Sequence, residues 1–233
     1  MFYSFKVCKK YFVYFFTFVI LFCSNAVMAY SNDVFVMATP KDKFCVVLDA
    51  GHGGIDGGCL GSLGIYERDI NLSISQKVGN FLDNLGVSVV YTRTNEDGLY
   101  GTFASGFKMR DMKERQRIIE QANPNLVVSI HLNSFPSGSA RGAQVFYALD
   151  SEISQELGQE LQDLFLENIE GSRKECKPGD FYILNCTDTP GILVECGFLS
   201  NVEEEKLLVS NEYQEKIAYT IACGIIAYFG LEQ

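Results

Sequence analysis

Two stretches of this chain, Phe44-Cys45-Val46-Val47-Leu48-Asp49 and Leu126-Val127-Val128-Ser129-Ile130, are apolar with almost no polar alternation. A strand with one wet face alternates; a strand that is apolar throughout has to be covered on both faces. Helices must therefore lie above and below such strands, and the chain between them supplies helical patterns. From about Arg68 to Leu85, Ile70, Ile74, Val78, Phe81, Leu82 and Leu85 fall on one stripe, and Gly86 ends it. Val87 to Tyr91 reads as a strand. Met109 to Ala122 reads as a charged helix halted by Asn123-Pro124. Ala143 to Leu149 reads as a further strand and Glu152 to Asn168 as an amphipathic helix. Phe181 to Leu184 and Ile192 to Val194 are short strand candidates. A last helical region runs from about Val202 to Phe229, broken near Ser210-Asn211. Strands alternating with helices predict an α/β fold: a single domain with a largely parallel twisted sheet and helices on both faces. With 47% hydrophobic residues the chain can build such a core.

The N-terminal stretch differs in kind. Lys6, Lys9 and Lys10 precede the apolar run Tyr11–Cys23, and Ser24-Asn25-Ala26-Val27-Met28-Ala29 follows with small residues. Residues 1–29 read as a signal peptide. The rival reading is an N-terminal membrane anchor, since Tyr11–Ala29 is just long enough to span a bilayer. Either way the working part is expected outside the cytoplasm. Residues 30–43 read as a polar spacer, and the domain occupies 44–230.

Three of the 19 basic residues precede position 30, and none of the 29 acidic ones does, so the remainder carries a net charge of −13. A body this acidic argues against a nucleic-acid partner, because phosphate contacts need a basic face. Six cysteines lie beyond the first 29 residues: Cys45, Cys59, Cys176, Cys186, Cys196 and Cys223. Export would permit disulfides. Cys45, Cys196 and Cys223 sit in apolar stretches and read as small core residues; Cys176 with Cys186 is the candidate bridge.

In open parallel sheets, sites form at the carboxyl ends of strands. Four residues meet that condition. His52 lies three residues after Asp49, in a Gly-His-Gly-Gly loop. His131 follows Ile130. Glu195 closes the run Ile192-Leu193-Val194. Glu67 follows the glycine-rich loop and opens the first helix. Two imidazoles and one carboxylate are a known zinc shell with a fourth position left for water. Zinc makes hydroxide available near neutral pH, and a second carboxylate can move the proton to a leaving amine. Read singly, each residue has a plainer role: Glu67 suits a helix N-terminus, and a lone histidine is usually no ligand. A carboxylate behind three apolar residues, as in Glu195, requires a partner or a task.

At these positions the chain resembles the zinc-dependent N-acetylmuramoyl-L-alanine amidases called amidase type 3. The resemblance starts at Val47-Leu48-Asp49-Ala50-Gly51-His52-Gly53-Gly54, with Asp56 and Gly57. It continues through Glu67, Thr92-Arg93, Asp97, Arg115, Ala122-Asn123 and Ser129-Ile130-His131-Leu132-Asn133. It ends at Pro190-Gly191-Ile192-Leu193-Val194-Glu195-Cys196-Gly197-Phe198-Leu199-Ser200-Asn201. It spans roughly residues 44–230. It implies one zinc ion per chain held by His52, Glu67 and His131, with Glu195 as the catalytic glutamate. It implies peptidoglycan as substrate, cut between the lactyl group of N-acetylmuramic acid and L-alanine. Arg93 and Arg115 are candidates for substrate contact, or else braces for loop and helix; Asn133 is a candidate for orienting His131 or touching substrate.

The compact domain, the Tyr182-x-Leu184 segment and the lack of a wall-binding repeat are most like the spore-cortex amidases, which take part in making muramic-δ-lactam. That implies a place in the forespore intermembrane space or cortex. The missing wall-binding module points to an accessory or targeting protein. Cys196 stands where a small or branched apolar residue is usual in the family, and strand alternation turns it away from Glu195. The alternatives are a vegetative autolysin of the same family, another zinc hydrolase such as a carboxypeptidase, and a catalytically silent peptidoglycan-binding regulator.

Overall fold

The computed structural model describes residues 44–231 except Phe103. The signal peptide or anchor expected at 1–29 and the spacer at 30–43 lie outside the described residues. In chain order the elements are β1 (Cys45–Ala50), α1 (Glu67–Asn84), β2 (Ser88–Tyr91), α2 (Phe107–Ala122), β3 (Leu126–Asn133) and β4 (Gln144–Ala148). They continue with α3 (Glu152–Asn168), β5 (Lys177–Gly179), α4 (Tyr182–Asn185), β6 (Gly191–Phe198), α5 (Val202–Leu208) and α6 (Asn211–Tyr228). The strands form one six-stranded sheet in the order β2-β1-β3-β6-β4-β5. β2, β1, β3 and β6 run parallel to one another, and β4 runs antiparallel to β6 with β5 parallel beside it. The expected α/β class and largely parallel sheet are therefore observed.

The unbroken apolar strands divide their side chains between two cores. Val46, Leu48, Val128, Ile130, Ile192 and Val194 pack with residues of α1, α3 and α6. Val47, Val127 and Leu193 point the other way and pack with Ile119 of α2 and Ile183 and Leu184 of α4. This is the period-two geometry of strands covered on both sides. Helices α1 and α6 pack closely on each other and give the first layer its breadth. Asn123, in the left-handed conformation, ends α2 just before Pro124, as the Asn-Pro pair predicts.

Two expectations are corrected, and one short strand was not expected. Phe181–Leu184 is not a strand: residues 182–185 form the single helical turn α4, seated under the sheet through Ile183 and Leu184. A four-residue apolar run does not separate a strand from a buried helical turn by pattern alone. The three-residue edge strand β5 carried no apolar alternation, and its Pro178 is tolerated only at an edge. Cys176 and Cys186 do not form a bridge; all six cysteines in the described residues are free. Cys176 packs with the α1-side core and Cys186 with the α2-side core, so the sheet separates them. Cys196 is buried in the α1-side core, turned away from Glu195 as alternation requires.

Candidate metal centre

The loop after β1 brings His52 to the carboxyl end of the parallel strands. His52 itself takes a left-handed backbone conformation, φ 63°. That conformation is uncommon for a residue with a side chain and needs support from its surroundings. Two buried arginines supply it. Arg115 donates to Ala50 O at 2.9 Å and to His52 O at 2.6 Å. Arg93 donates to Ala50 O at 2.9 Å and to Gly51 O at 3.0 Å. Three successive carbonyls are thus held from beneath. Arg115 is itself fixed by Asp49 at 2.5 Å and Asp111 at 2.7 Å. Both arginines are buried, and their hydrogen bonds run to the loop backbone, Asp49 and Asp111, the geometry of a brace.

Glu67 begins α1 and is buried. Its Oε1 lies 3.2 Å from His52 Nε2 and 3.0 Å from His131 Nδ1. The backbone N–H groups of Cys59 and Leu132 donate to its two oxygens at 2.9 and 3.1 Å. His131 comes from β3, with its ring 5.0 Å from that of His52 and roughly perpendicular. A side chain at Gly51 would run into the His131 ring, and one at Gly58 (φ 67°) would strike both His52 and Glu67. Glycine at these two places is what lets the loop close around the imidazoles.

His52, Glu67 and His131 each present one donor atom, all within 4.8 Å of one another, and they are the one such cluster among the described residues. Two nitrogen donors and one carboxylate oxygen at that spacing suit a tetrahedral divalent cation with one open position. The three side chains also form an ion-pair network. Burial alone would raise the Glu67 pKa, but the two imidazoles hold its carboxylate far below the usual range. Burial alone would lower the His52 pKa, yet hydrogen bonds to Asp56 and Glu67 push it up to about 9. Asp56 lies 3.2 Å from His52 Nδ1, and Lys108 is 3.3 Å from the other Asp56 oxygen. His52 Nε2 is thereby turned inward. Asp56 belongs to the loop motif, and its offset of four from His52 is the signal the sequence carries for this contact.

Glu195 on β6 pairs in register with His131 on β3. Burial pushes its carboxyl up to about 7, and its Oε2 is buried with no hydrogen-bond partner. A buried carboxylate oxygen without a donor is costly, and here it stands beside the metal-competent cluster. Together these residues and Asn133 line a cleft of about 390 Å³. The Asn133 side chain accepts from Ser134 N at 2.8 Å and does not reach His131 by any hydrogen bond found among the described residues. A broader hollow of about 760 Å³, lined in part by Asp150, Glu152, Asp180 and Asp188, lies beside the far end of β4 and contains no histidine. Chemistry, not volume, singles out the cleft.

A parallel α/β sheet with two histidines and a carboxylate at its carboxyl ends, and a second, unpaired carboxylate beside them, can hold a divalent cation and transfer a proton next to it. Comparison with known proteins places this arrangement in a family. Residues 46–227 match the family described as N-acetylmuramoyl-L-alanine amidase, and the chain belongs to that family. It is 34% identical over 194 residues to the germination-specific N-acetylmuramoyl-L-alanine amidase of Bacillus subtilis, covering 82% of this chain and 81% of the relative. The CwlD amidase of Clostridioides difficile, solved in complex with the GerS lipoprotein, superposes with a TM-score of 0.77 at 39% identity. That match covers 81% of this chain and all of the other. An N-acetylmuramoyl-L-alanine amidase of Clostridium difficile 630 matches with a TM-score of 0.72 at 29% identity, over 82% of this chain and 98% of that one.

Proposed function

We propose that this chain is a zinc-dependent N-acetylmuramoyl-L-alanine amidase in which His52, Glu67 and His131 hold the metal and Glu195 moves the proton. The observation that carries the reading is the placement of Glu195: an unpaired buried carboxylate oxygen, in register with a metal-competent histidine. When bound, zinc polarises a carbonyl and lowers the pKa of water to near neutrality. The chain's own residues do the rest. The cleft places the lactyl carbonyl of N-acetylmuramic acid against the cluster. Glu195, with a pKa raised toward neutrality, accepts a proton from the attacking water and returns it to the departing amine of L-alanine. Asp56 keeps His52 Nε2 turned to the centre, and the amides of Cys59 and Leu132 keep Glu67 in place.

The substrate is peptidoglycan and the place of action is extracytoplasmic, which the basic, then apolar, N-terminal stretch supports. The germination-specific name of the Bacillus subtilis relative supports a role in the spore; within that role the proposed task is muramic-δ-lactam formation in the cortex. The complex of the CwlD amidase with a lipoprotein supports an accessory partner here as well. Muropeptide digestion with and without chelator, products read by mass spectrometry, tests the reading. An amidase releases peptides with a free L-alanine amino terminus, only in the absence of chelator. Release of a terminal amino acid instead would identify a carboxypeptidase, and no product would identify a silent regulator or an enzyme awaiting its partner, which addition of the partner resolves. A strain lacking this protein should form cortex without lactam; a change confined to vegetative wall turnover would assign it as an autolysin.

A further inference from the structure

One turn beyond Glu67 on α1, Asn71 is completely buried. Its side-chain amide nitrogen donates in two directions, to Glu67 Oε1 and to Gly51 O, each at 3.2 Å. Its carbonyl oxygen has no partner. A buried amide with half its hydrogen-bonding capacity unused is locally costlier than a leucine of similar size. It lies on the stripe that otherwise buries Ile70, Ile74 and Val78. What the amide obtains at that cost is a link between two elements. Glu67 reaches the cluster on a helix, and His52 reaches it on the loop that begins at Gly51. The two donated hydrogen bonds tie the carboxylate oxygen shared by both imidazoles to the backbone one residue before His52.

We propose that Asn71 is a positioning residue for the metal centre, setting the spacing between Glu67 and His52 and the orientation of the Glu67 carboxylate before metal arrives. The inference rests on the metal reading of His52, Glu67 and His131. Outer hydrogen-bond partners of metal ligands typically contribute about 10- to 100-fold in metal affinity. Asn71→Leu removes both donors while keeping the branched outline of the side chain. Asn71→Ala removes them without overfilling the site, and stands in if the leucine variant does not fold. Ser75→Ala is the control: Ser75 lies one turn further along α1, is equally buried, and its hydroxyl has no partner.

The test measures zinc affinity of the purified protein by competition with a chromophoric chelator, and the visible absorption of the Co²⁺-substituted protein. The expected result is zinc affinity weakened about 10- to 100-fold in the Asn71 variants, a changed Co²⁺ spectrum, and wild-type values for Ser75→Ala. Wild-type affinity and spectrum in a folded Asn71 variant would overturn the proposal. So would an equal loss in Ser75→Ala, which would make the effect one of helix packing. If the unmodified protein itself binds no zinc, the metal reading fails, and this inference with it.

Discussion

Glu195 on β6 and His131 on β3 stand opposite each other in register across adjacent parallel strands. Their side chains emerge on the same face at the same level of the sheet, which puts the proposed proton-transfer group beside the metal-competent group without any help from loops. Glu195→Gln keeps size and removes the base. It should lower kcat by about 10²- to 10⁴-fold while zinc content stays near one per chain. Metal analysis alongside muropeptide turnover checks this, and full activity in a zinc-loaded variant would refute the role.

His131→Ala and Glu67→Ala should each lose bound zinc after dialysis, because removing one of three donors opens the shell. Elemental analysis reads the outcome directly. Zinc at normal occupancy in either variant would show that the ligand set is wrong.

Gly51→Ala should do nearly the same without replacing a ligand. The added methyl meets the His131 ring, so the ring or the loop must move. The expectation is a folded protein with lowered zinc occupancy and activity; an unaltered enzyme would mean that the loop yields easily.

Arg115→Ala should cost stability more than any surface change. It leaves Asp49 buried without its partner, and breaking a buried pair typically costs about 3–5 kcal/mol. It also frees Ala50 O and His52 O. Urea unfolding measures the loss, and a cost under about 1 kcal/mol, the range of exposed pairs, would contradict the structural role.

Acid should act in part through Asp49, alongside Glu67 and Asp56, whose carboxyls are also held below their usual range. Burial alone would raise its pKa, but Arg115 and the hydroxyls of Ser129 and Thr92 bring it down to about 2, from 3.8. Its folded pKa lies below its unfolded one, so it stabilises the fold above pH 3.8 and that contribution is lost as pH falls toward 2. The stabilisation amounts to about 2 kcal/mol. In Asp49→Asn, stability should be lower at neutral pH and flatter between pH 4 and 2; an unchanged slope would exclude Asp49 as an acid-sensitive group.

The core strands and their burial were legible because hydrophobic period reports coverage, and β1, β3 and β6 are covered on both faces. His52, His131 and Glu195 stood out as candidates because strand ends are where a parallel sheet exposes chemistry, and Glu67 because it opens the helix behind the glycine loop; their division into ligands and base is what the family resemblance implies. The roles of Arg93 and Arg115 stayed open in sequence, since an arginine that donates to carbonyls beneath a loop looks like one that reaches for substrate. Asn71 was hidden for a different reason. It sits on an apolar stripe, and only the folded packing of α1 against the β1 exit reveals what its amide touches. The turn 182–185 and the Pro-containing edge strand were too short to declare their period.

β6 is the last strand in the chain but lies fourth across the sheet, between β3 and β4. A chain that stops before Gly191 leaves β3 with an open edge and β4 and β5 detached from the other strands. Glu195 arrives on the strand that closes this gap. Completion of the sheet and delivery of Glu195 to the side of His131 are therefore one event in the folding of the chain.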